Sequence, residues 1–473
     1  MGSSLLIRNT QSPGDIIVLS AMLRDLHIAH PGKFTTSIAV SPGAEEAYFN
    51  NPNISKIIPA GRASKDSTRQ FGKPFVAHYP LIKTCNQQRK HFLWGFIEDV
   101  NKRLHTNVKL TQFRPDLHMT EQEMAEPLIE PPYWLFLAGG KTDFRTKIWS
   151  REYWKQVIGA TKDRIRWVQC GGGSKNHIMH EQIPGVQHYM VAKTGLRKFI
   201  RLIYHAEGVV CVVTAAMHIA AALNKPCVVI AGGREPWWWE GYTQENRIAN
   251  MRISDPRWTP PADDDFVEHK FLHTMNKLSC CKNKGCWRSK LKGSSVCHDI
   301  VEVGGQLLPK CKAMITPDQV IGAMNSYYEM EKIKSTGVIT TVDKAESVLY
   351  CVYGKGDPEL EATMPETPVV VNGCSREEAL RTALKTDTEW VVWAEAGSRP
   401  KPGWFERLYL TRPRVMGRIY RTQTRTHYPH PGLFIAHRDL IDTSADTFEG
   451  MFAKLRPADF TSIDQEVTIP VRL

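Results

Sequence analysis

The turn Ser12-Pro13-Gly14-Asp15 sets a carboxylate beside a glycine, just after the apolar run SLLIRN. A carboxylate so placed can take the proton of an acceptor hydroxyl as a general base. Aspartate is also a favoured helix cap, and spacing alone leaves both readings open. The segment TDFRTKIWS (142–150) carries Arg145 and Lys147 after the glycines that end YWLFLAGG. Two cations and a helix N-terminus suit a diphosphate; a solvated basic loop is the plainer alternative. The run TAAMHIAAALNKP (214–226) puts Thr214, Met217 and His218 at the start of a small-residue helix. Small residues there let a ligand approach the helix end closely. His218 also reads as a core histidine. In AGGREPWWWEGY (231–242), Gly232 and Gly233 free the backbone, and Arg234 and Glu235 supply a charge pair. Glu235 could accept from ribose hydroxyls. Trp237, Trp238 and Trp239 form either a stacking platform for a base or sugar, or an aromatic plug between lobes.

Of 11 cysteines, five fall between Cys280 and Cys311: Cys280, Cys281, Cys286, Cys297 and Cys311. Cys281, Cys286, Cys297 and Cys311 form a candidate structural zinc set. Free thiols are an equal reading, because the spacing lacks paired C-x-x-C knuckles. The odd total and the absence of an export signal argue against a disulfide framework.

These residues need elements to hold them. SLLIRN reads as a strand, TQSPGD as a turn and IIVLSAMLRDLHIAH as a helix. The strand TTSIAVS follows, then a helix near 45–49 and a strand at Lys56–Pro59. Strand–helix alternation of this kind implies a parallel sheet covered by helices. After Pro131 and Pro132 the pattern restarts, with YWLFLAGG, RIRWVQCGGG, GVVCVVT and KPCVVIAGG as strands between helices. Continuous apolar strands are expected where both faces of a parallel sheet are covered. Ligands in such sheets bind beyond the carboxyl ends of the strands, where Asp15, Lys147, Thr214 and Arg234 all fall. From residue 347 the strands SVLYCVYG, TPVVVNG and EWVVWAE alternate with a helix at REEALRTALK. The expected division is 1–130 and 131–330 for two Rossmann-like lobes, and 345–473 for a smaller α/β domain.

The 473 residues, 42% hydrophobic and 23% charged, suit a globular protein and exclude a collagen-like or disordered one. The opening MGSSLLIRNTQSPGD lacks the apolar core of a secretory signal. Leu6 stands where myristoylation wants a hydroxyl. No stretch reaches the roughly 18 apolar residues of a membrane span. A cytoplasmic protein is expected. The net charge of +12 fits a polyanionic partner, or simply a basic surface. Residues 399–425 hold eight Lys or Arg and one Glu, with Trp404, Phe405, Tyr409 and Tyr420 among them. Arg399, Lys401, Arg412 and Arg414 are the candidate grip on a nucleic-acid acceptor; a solvated face is the alternative.

In order and separation, SPGD, KIWS and TAAMHIAAAL-x-KP together resemble the heptosyltransferase-type glycosyltransferases (family nine), over 5–241. The three correspond to that family's S-x-G-D start, its Lys-x-Trp-Pro element and its MH-x-AAA-x-x-KP segment. The resemblance implies a GT-B fold and inverting transfer from a nucleotide sugar without a catalytic metal. It implies Asp15 as acceptor base, near Ser12 and Gly14. It implies Lys147, Thr214, Met217 and His218 around the donor diphosphate. Val213 stands where the family carries Asp, and Ala215 where it carries Gly. UDP-, GDP- and ADP-sugars therefore all remain candidate donors. EWVVWAEAGSRPKPGWFERL resembles a GT-A stretch whose acidic motif has become Glu395-Ala396-Gly397, which implies a degenerate domain. The expected function is transfer of a sugar to a hydroxyl, with 5-hydroxymethylpyrimidine in phage DNA as acceptor. The alternatives are a lipopolysaccharide-core glycan, or a non-catalytic binding protein on the same scaffold.

Overall fold

The structure is a computed structural model. It describes residues 2–59, 74–78, 82–173, 176–261 and 264–336 and, beyond those, only the strands of a C-terminal unit. The chain divides into two compact units, Met1–Met324 and Asn325–Leu473.

The first unit contains two parallel sheets. The N-terminal sheet is built around Ser3–Asn9, which pairs in parallel with Phe34–Val40 on one side and Phe75–Val76 on the other. Lys56–Pro59 extends it beyond Phe34–Val40. The chain therefore runs outward to one edge and then crosses back beside the first strand. Helix Pro13–Ala29 begins with proline, whose missing N–H would have had no helical partner there. It is buried without a break from Ile16 to Leu26, because it packs against helices Phe92–Leu104 and Ala215–Ala222. The helix expected near 45–49 is a single 3-10 turn, Glu45–Tyr48.

The second sheet has six parallel strands. From one edge they are Lys270–His273, Cys227–Gly232, Gly208–Val212, Trp134–Phe136, Trp167–Gln169 and His188–Tyr189. Strand order reverses between Trp134–Phe136, the first in sequence, and Gly208–Val212, the fourth. Every residue of Gly208–Val212 and Cys227–Gly232 is buried, as apolar strands covered on both faces must be. Helix Leu196–His205 covers part of one face and buries Ile200, Leu202 and Ile203. Both sheets of this unit thus have the doubly wound order that opens a crevice where the order reverses. The fold of this unit is α/β, with two doubly wound parallel sheets covered by helices.

The C-terminal unit holds a six-stranded sheet. Val348–Tyr353 lies parallel to Val369–Val371 and Trp390–Glu395, and His427–His437 runs antiparallel to Trp390–Glu395. These strands include the three expected from SVLYCVYG, TPVVVNG and EWVVWAE. The helix expected at REEALRTALK lies outside the described residues. Among the described residues, no helix is long and apolar enough to cross a membrane.

Candidate active site

The reversal points of the two sheets face each other. In the N-terminal sheet, the chain leaves Ser3–Asn9 through Gln11 and Ser12 and enters helix Pro13–Ala29 at once. In the second sheet, it leaves Gly208–Val212 through Val213 and Thr214 into helix Ala215–Ala222. The two helix starts touch. A Cβ on Gly14 would lie 3.2 Å from Cδ2 of His218 and 3.5 Å from Cα of Ala215. Glycine is what allows this approach.

Asp15 lies in the first helical turn, where its Oδ2 accepts the Ser12 N–H at 3.1 Å. The N-cap is thus Ser12, not Asp15, which sits at the third helical position and completes the capping box. Burial raises its pKa to about 6, against the opposing pull of Lys147, the Ser12 N–H and Lys141. At neutral pH this carboxylate is ionised, yet far more basic than a free one. The ammonium of Lys141 donates to Ser12 Oγ at 2.9 Å.

Across the crevice, Lys147 Nζ lies 2.7 Å from Glu235 Oε1, and Arg234 bonds the same carboxylate oxygen. Glu235 is 1% exposed, while the Lys147 side chain is 23% exposed, so the pair opens on the Lys147 side. Burial and Arg234 pull the Lys147 ammonium down, against the opposing pull of Glu240 and Asp15. Arg234 stacks over Phe144 at 5.1 Å and Lys147 over the same ring at 5.4 Å, so one ring spaces two cations. Glu240 is buried, and burial raises its carboxyl above the usual range, with Asp15 adding to the rise. Its Oε2 is 3.5 Å from His218 Nε2. His218 Nδ1 is paired with the Tyr242 hydroxyl at 2.8 Å. Burial holds that imidazole well below its ordinary pKa, so it is neutral. Thr214 Oγ1, Glu235 Oε2 and Glu240 Oε2 are buried without a hydrogen-bond partner. Unpaired buried oxygens around mobile protons and cations are typical of sites that await a ligand.

The structure thus gathers Ser12, Gly14, Asp15, Lys147, Thr214, His218, Arg234 and Glu235 around one crevice. Gly232 adopts φ +73° and closes on Cys311, while Gly233 closes on Cys281. Both serve close packing of the following loop. Arg145 is exposed. Met217 is fully buried in the core; its position, one turn into a helix wedged between lobes, explains that. The tryptophans are an interlobe plug. Trp239 stacks on Phe92 at 5.3 Å and 20°, and Trp238 Nε1 donates to the Cys85 carbonyl at 3.1 Å. Of the cysteines, Cys281 turns away to Thr274 and Gly233. Cys280, Cys286, Cys297 and Cys311 line one small cavity, so Cys280 stands where Cys281 was expected. The side chains of Arg399, Lys401, Arg412 and Arg414 lie outside the described residues. Sequence reasoning missed Lys141, Phe144 and Glu240. Lys141 directly follows the strand-end AGG, the one signal that pointed to it. Glu240 was hidden behind its tryptophans.

The model of glycosyltransferase family 9 (heptosyltransferase) matches residues 86–257. No curated protein matches the chain. Among solved structures, Escherichia coli heptosyltransferase WaaC with ADP is 22% identical over 49% of this chain and 88% of its own, with a TM-score of 0.37. A family 9 glycosyl transferase from Veillonella parvula is 14% identical over 68% and 96%, with a TM-score of 0.47. The iron-containing dodecameric glycosyltransferase TibC from enterotoxigenic E. coli is 14% identical over 70% and 80%, with a TM-score of 0.48. The matched segment runs from just before helix Phe92–Leu104 through Lys147, His218 and Glu240 to residue 257, and Asp15 lies outside it. Over residues 86–257, about a third of the chain, the sequence is similar to glycosyltransferase family 9.

Proposed function

We propose that the chain is an inverting transferase that moves a sugar from a nucleotide-sugar donor to an acceptor hydroxyl, with Asp15 as general base. The observation that carries this reading is a half-buried, unusually basic carboxylate, Asp15, within electrostatic reach of the partly open Lys147. The Asp15 carboxylate, raised to about 6, takes the acceptor proton as the acceptor oxygen attacks the anomeric carbon. The bond from that carbon to the diphosphate breaks, and the electron pair leaves with the diphosphate. Lys147 and Arg234 face the leaving charge, and the N–H groups that open helix Ala215–Ala222 add to them. Glu235 holds both cations in place until the donor arrives. These cations supply what a metal would otherwise do, so the proposed steps need none. Transfer with inversion follows from a single displacement with one base.

For the donor, UDP-, GDP- and ADP-sugars are all admitted by this site. For the acceptor, the net charge of +12 favours a polyanion, and we assign 5-hydroxymethylpyrimidine in DNA. On this reading Ser12 and Gly14 line the acceptor side, and Arg399, Lys401, Arg412 and Arg414 grip the backbone. The enzyme would then act in the cytoplasm, on phage DNA. The test is a donor screen with product mass as the readout. Purified protein meets each nucleotide sugar, with hydroxymethylated duplex DNA or lipopolysaccharide core as acceptor. Sugar mass on DNA is the expected result. Sugar mass only on core glycan would transfer the same mechanism to a glycan acceptor. No product with any donor, while donor still binds, would make the chain a binding protein.

A further inference from the structure

The segment 274–312 is poor in regular structure. It contains a 3-10 turn at Ser279–Cys281, a hairpin of Ile300–Val303 with Gln306–Pro309, and the short helix Lys310–Ala313. Between 282 and 299 the described regular pairing is one isolated bridge, Lys290 to Val296. Such a segment has little core of its own, and small loop-rich segments are usually held by a cross-link. Four of its sulfurs sit around one cavity. Cys280, Cys286, Cys297 and Cys311 line it, with Thr146, Arg234, Arg288 and Asp299.

The backbone brings them there in two pairs. Cys280 and Cys286 flank a turn in which Asn283 takes φ +61°, and Cys286 N–H donates to the Gly233 carbonyl at 3.3 Å. Cys297 and Cys311 flank the hairpin, whose base is closed by Lys310 N–H to the Asp299 carbonyl at 2.9 Å. All four are free thiols. We propose that Cys280, Cys286, Cys297 and Cys311 bind one zinc ion as four thiolates. Zinc favours tetrahedral thiolate sets, and closed sets of this kind are structural. Four thiolates around a divalent ion leave a net charge of minus two. Arg234 and Arg288 stand in the cavity wall to offset it. Zinc binds the thiolate, so loading the site releases the thiol protons. Among the described residues, no group of three or more His, Cys, Asp or Glu is already gathered as a metal site. The four sulfurs therefore close inward from the cavity walls when the ion binds. Cys281 is excluded, because its S–H donates to the Thr274 carbonyl at 3.3 Å.

The ion also matters for the crevice. Arg288 O, in the middle of the cysteine segment, accepts from Arg234 Nε at 2.8 Å and from Thr146 Oγ1 at 2.6 Å. Trp287 N–H donates to the Arg234 carbonyl at 3.2 Å, and Thr146 N–H to the Ser289 carbonyl at 3.3 Å. One stretch of chain thus fastens both loops that carry Lys147 and Arg234. The zinc would act as a clasp on that fastening. This consequence rests on the donor-site reading, so metal content and nucleotide-sugar binding are measured separately.

The experiment is metal analysis of the full-length chain purified without added metal. We expect one zinc per chain. Cobalt exchanged for it should show the intense absorption of tetrahedral thiolate coordination. Cys286→Ser and Cys297→Ser should lose the bound metal, and Cys281→Ser should keep it at full stoichiometry. Less than a tenth of an equivalent of metal in the wild type would overturn the site, as would loss of metal in Cys281→Ser alone. One equivalent of iron in place of zinc would overturn the zinc assignment. If zinc is present and removing it leaves donor affinity unchanged, the clasp fails while the site stands.

Discussion

Two stretches of one seam between the lobes behave differently. On one side, Trp238, Trp239, Phe92, His91 and Tyr242 fill the gap. Trp239 stacks on Phe92, His91 lies 4.7 Å from Tyr242, and His91 N–H donates to Asn250 Oδ1 at 2.8 Å. On the other side, a few residues away, Asp15, Lys147, Arg234, Glu235 and Glu240 leave charges crowded and oxygens unpaired. Folding alone favours the first arrangement, since apolar and stacked contacts lower the free energy without desolvating charge. The second costs stability, and crowded, desolvated charge of this kind is what marks a candidate binding site. The contrast separates the apolar half of the seam from the charged half, which is the half the proposed function uses.

Substitutions on each side sharpen the contrast. Asp15→Asn should lower turnover by about 10²–10⁴-fold, the usual worth of a positioned base, with donor affinity nearly unchanged by calorimetry. Its melting temperature should not fall. The folded-state pKa lies above the ordinary carboxylate value, so the ionised form costs stability as pH rises from about 4 through about 6, and Asn removes that cost. Trp239→Ala should do the reverse. It should cost about 3–5 kcal/mol of stability by denaturant unfolding, through a cavity beside Phe92. Lys147→Met should lower kcat by about 10²–10³-fold, as loss of one charge on a leaving group does, with product mass unchanged. Gly14→Ala should have the smallest effect, about 1 kcal/mol of strain where its Cβ meets His218. A mild loss in kcat with unchanged donor affinity would place that strain at the acceptor side.

Much of this arrangement was legible in the sequence, for physical reasons. The apolar runs of Gly208–Val212 and Cys227–Gly232 could only be parallel strands covered on both faces. Each was followed by small residues, and that placed Thr214 and Arg234 at strand ends. Asp15 was legible as a turn carboxylate, although its bond to the Ser12 N–H and the burial that raises its pKa needed coordinates. Other features depended on which side chains meet across the seam. Glu240 reaches His218 only because helix Trp237–Glu240 turns inward at the aromatic plug. Arg145 and Lys147 are alike in sequence, yet only Lys147 meets Glu235. Cys280 and Cys281 are neighbours, and the 3-10 turn points one to the cavity and the other to Thr274. Local pattern locates an element; the pairing of two lobes decides which of its residues act.

The account turns most directly on the ionisation of Asp15, and the measurement is the pH dependence of kcat/KM for the wild-type chain with the donor found in the screen. A general base must be unprotonated to act, so activity should be full above pH 7 and fall tenfold per unit below about 6. Asp15→Asn should lose that limb along with its turnover. An acid limb near the ordinary carboxylate value, or the same limb persisting in Asp15→Asn, would contradict the assignment of Asp15 as the base.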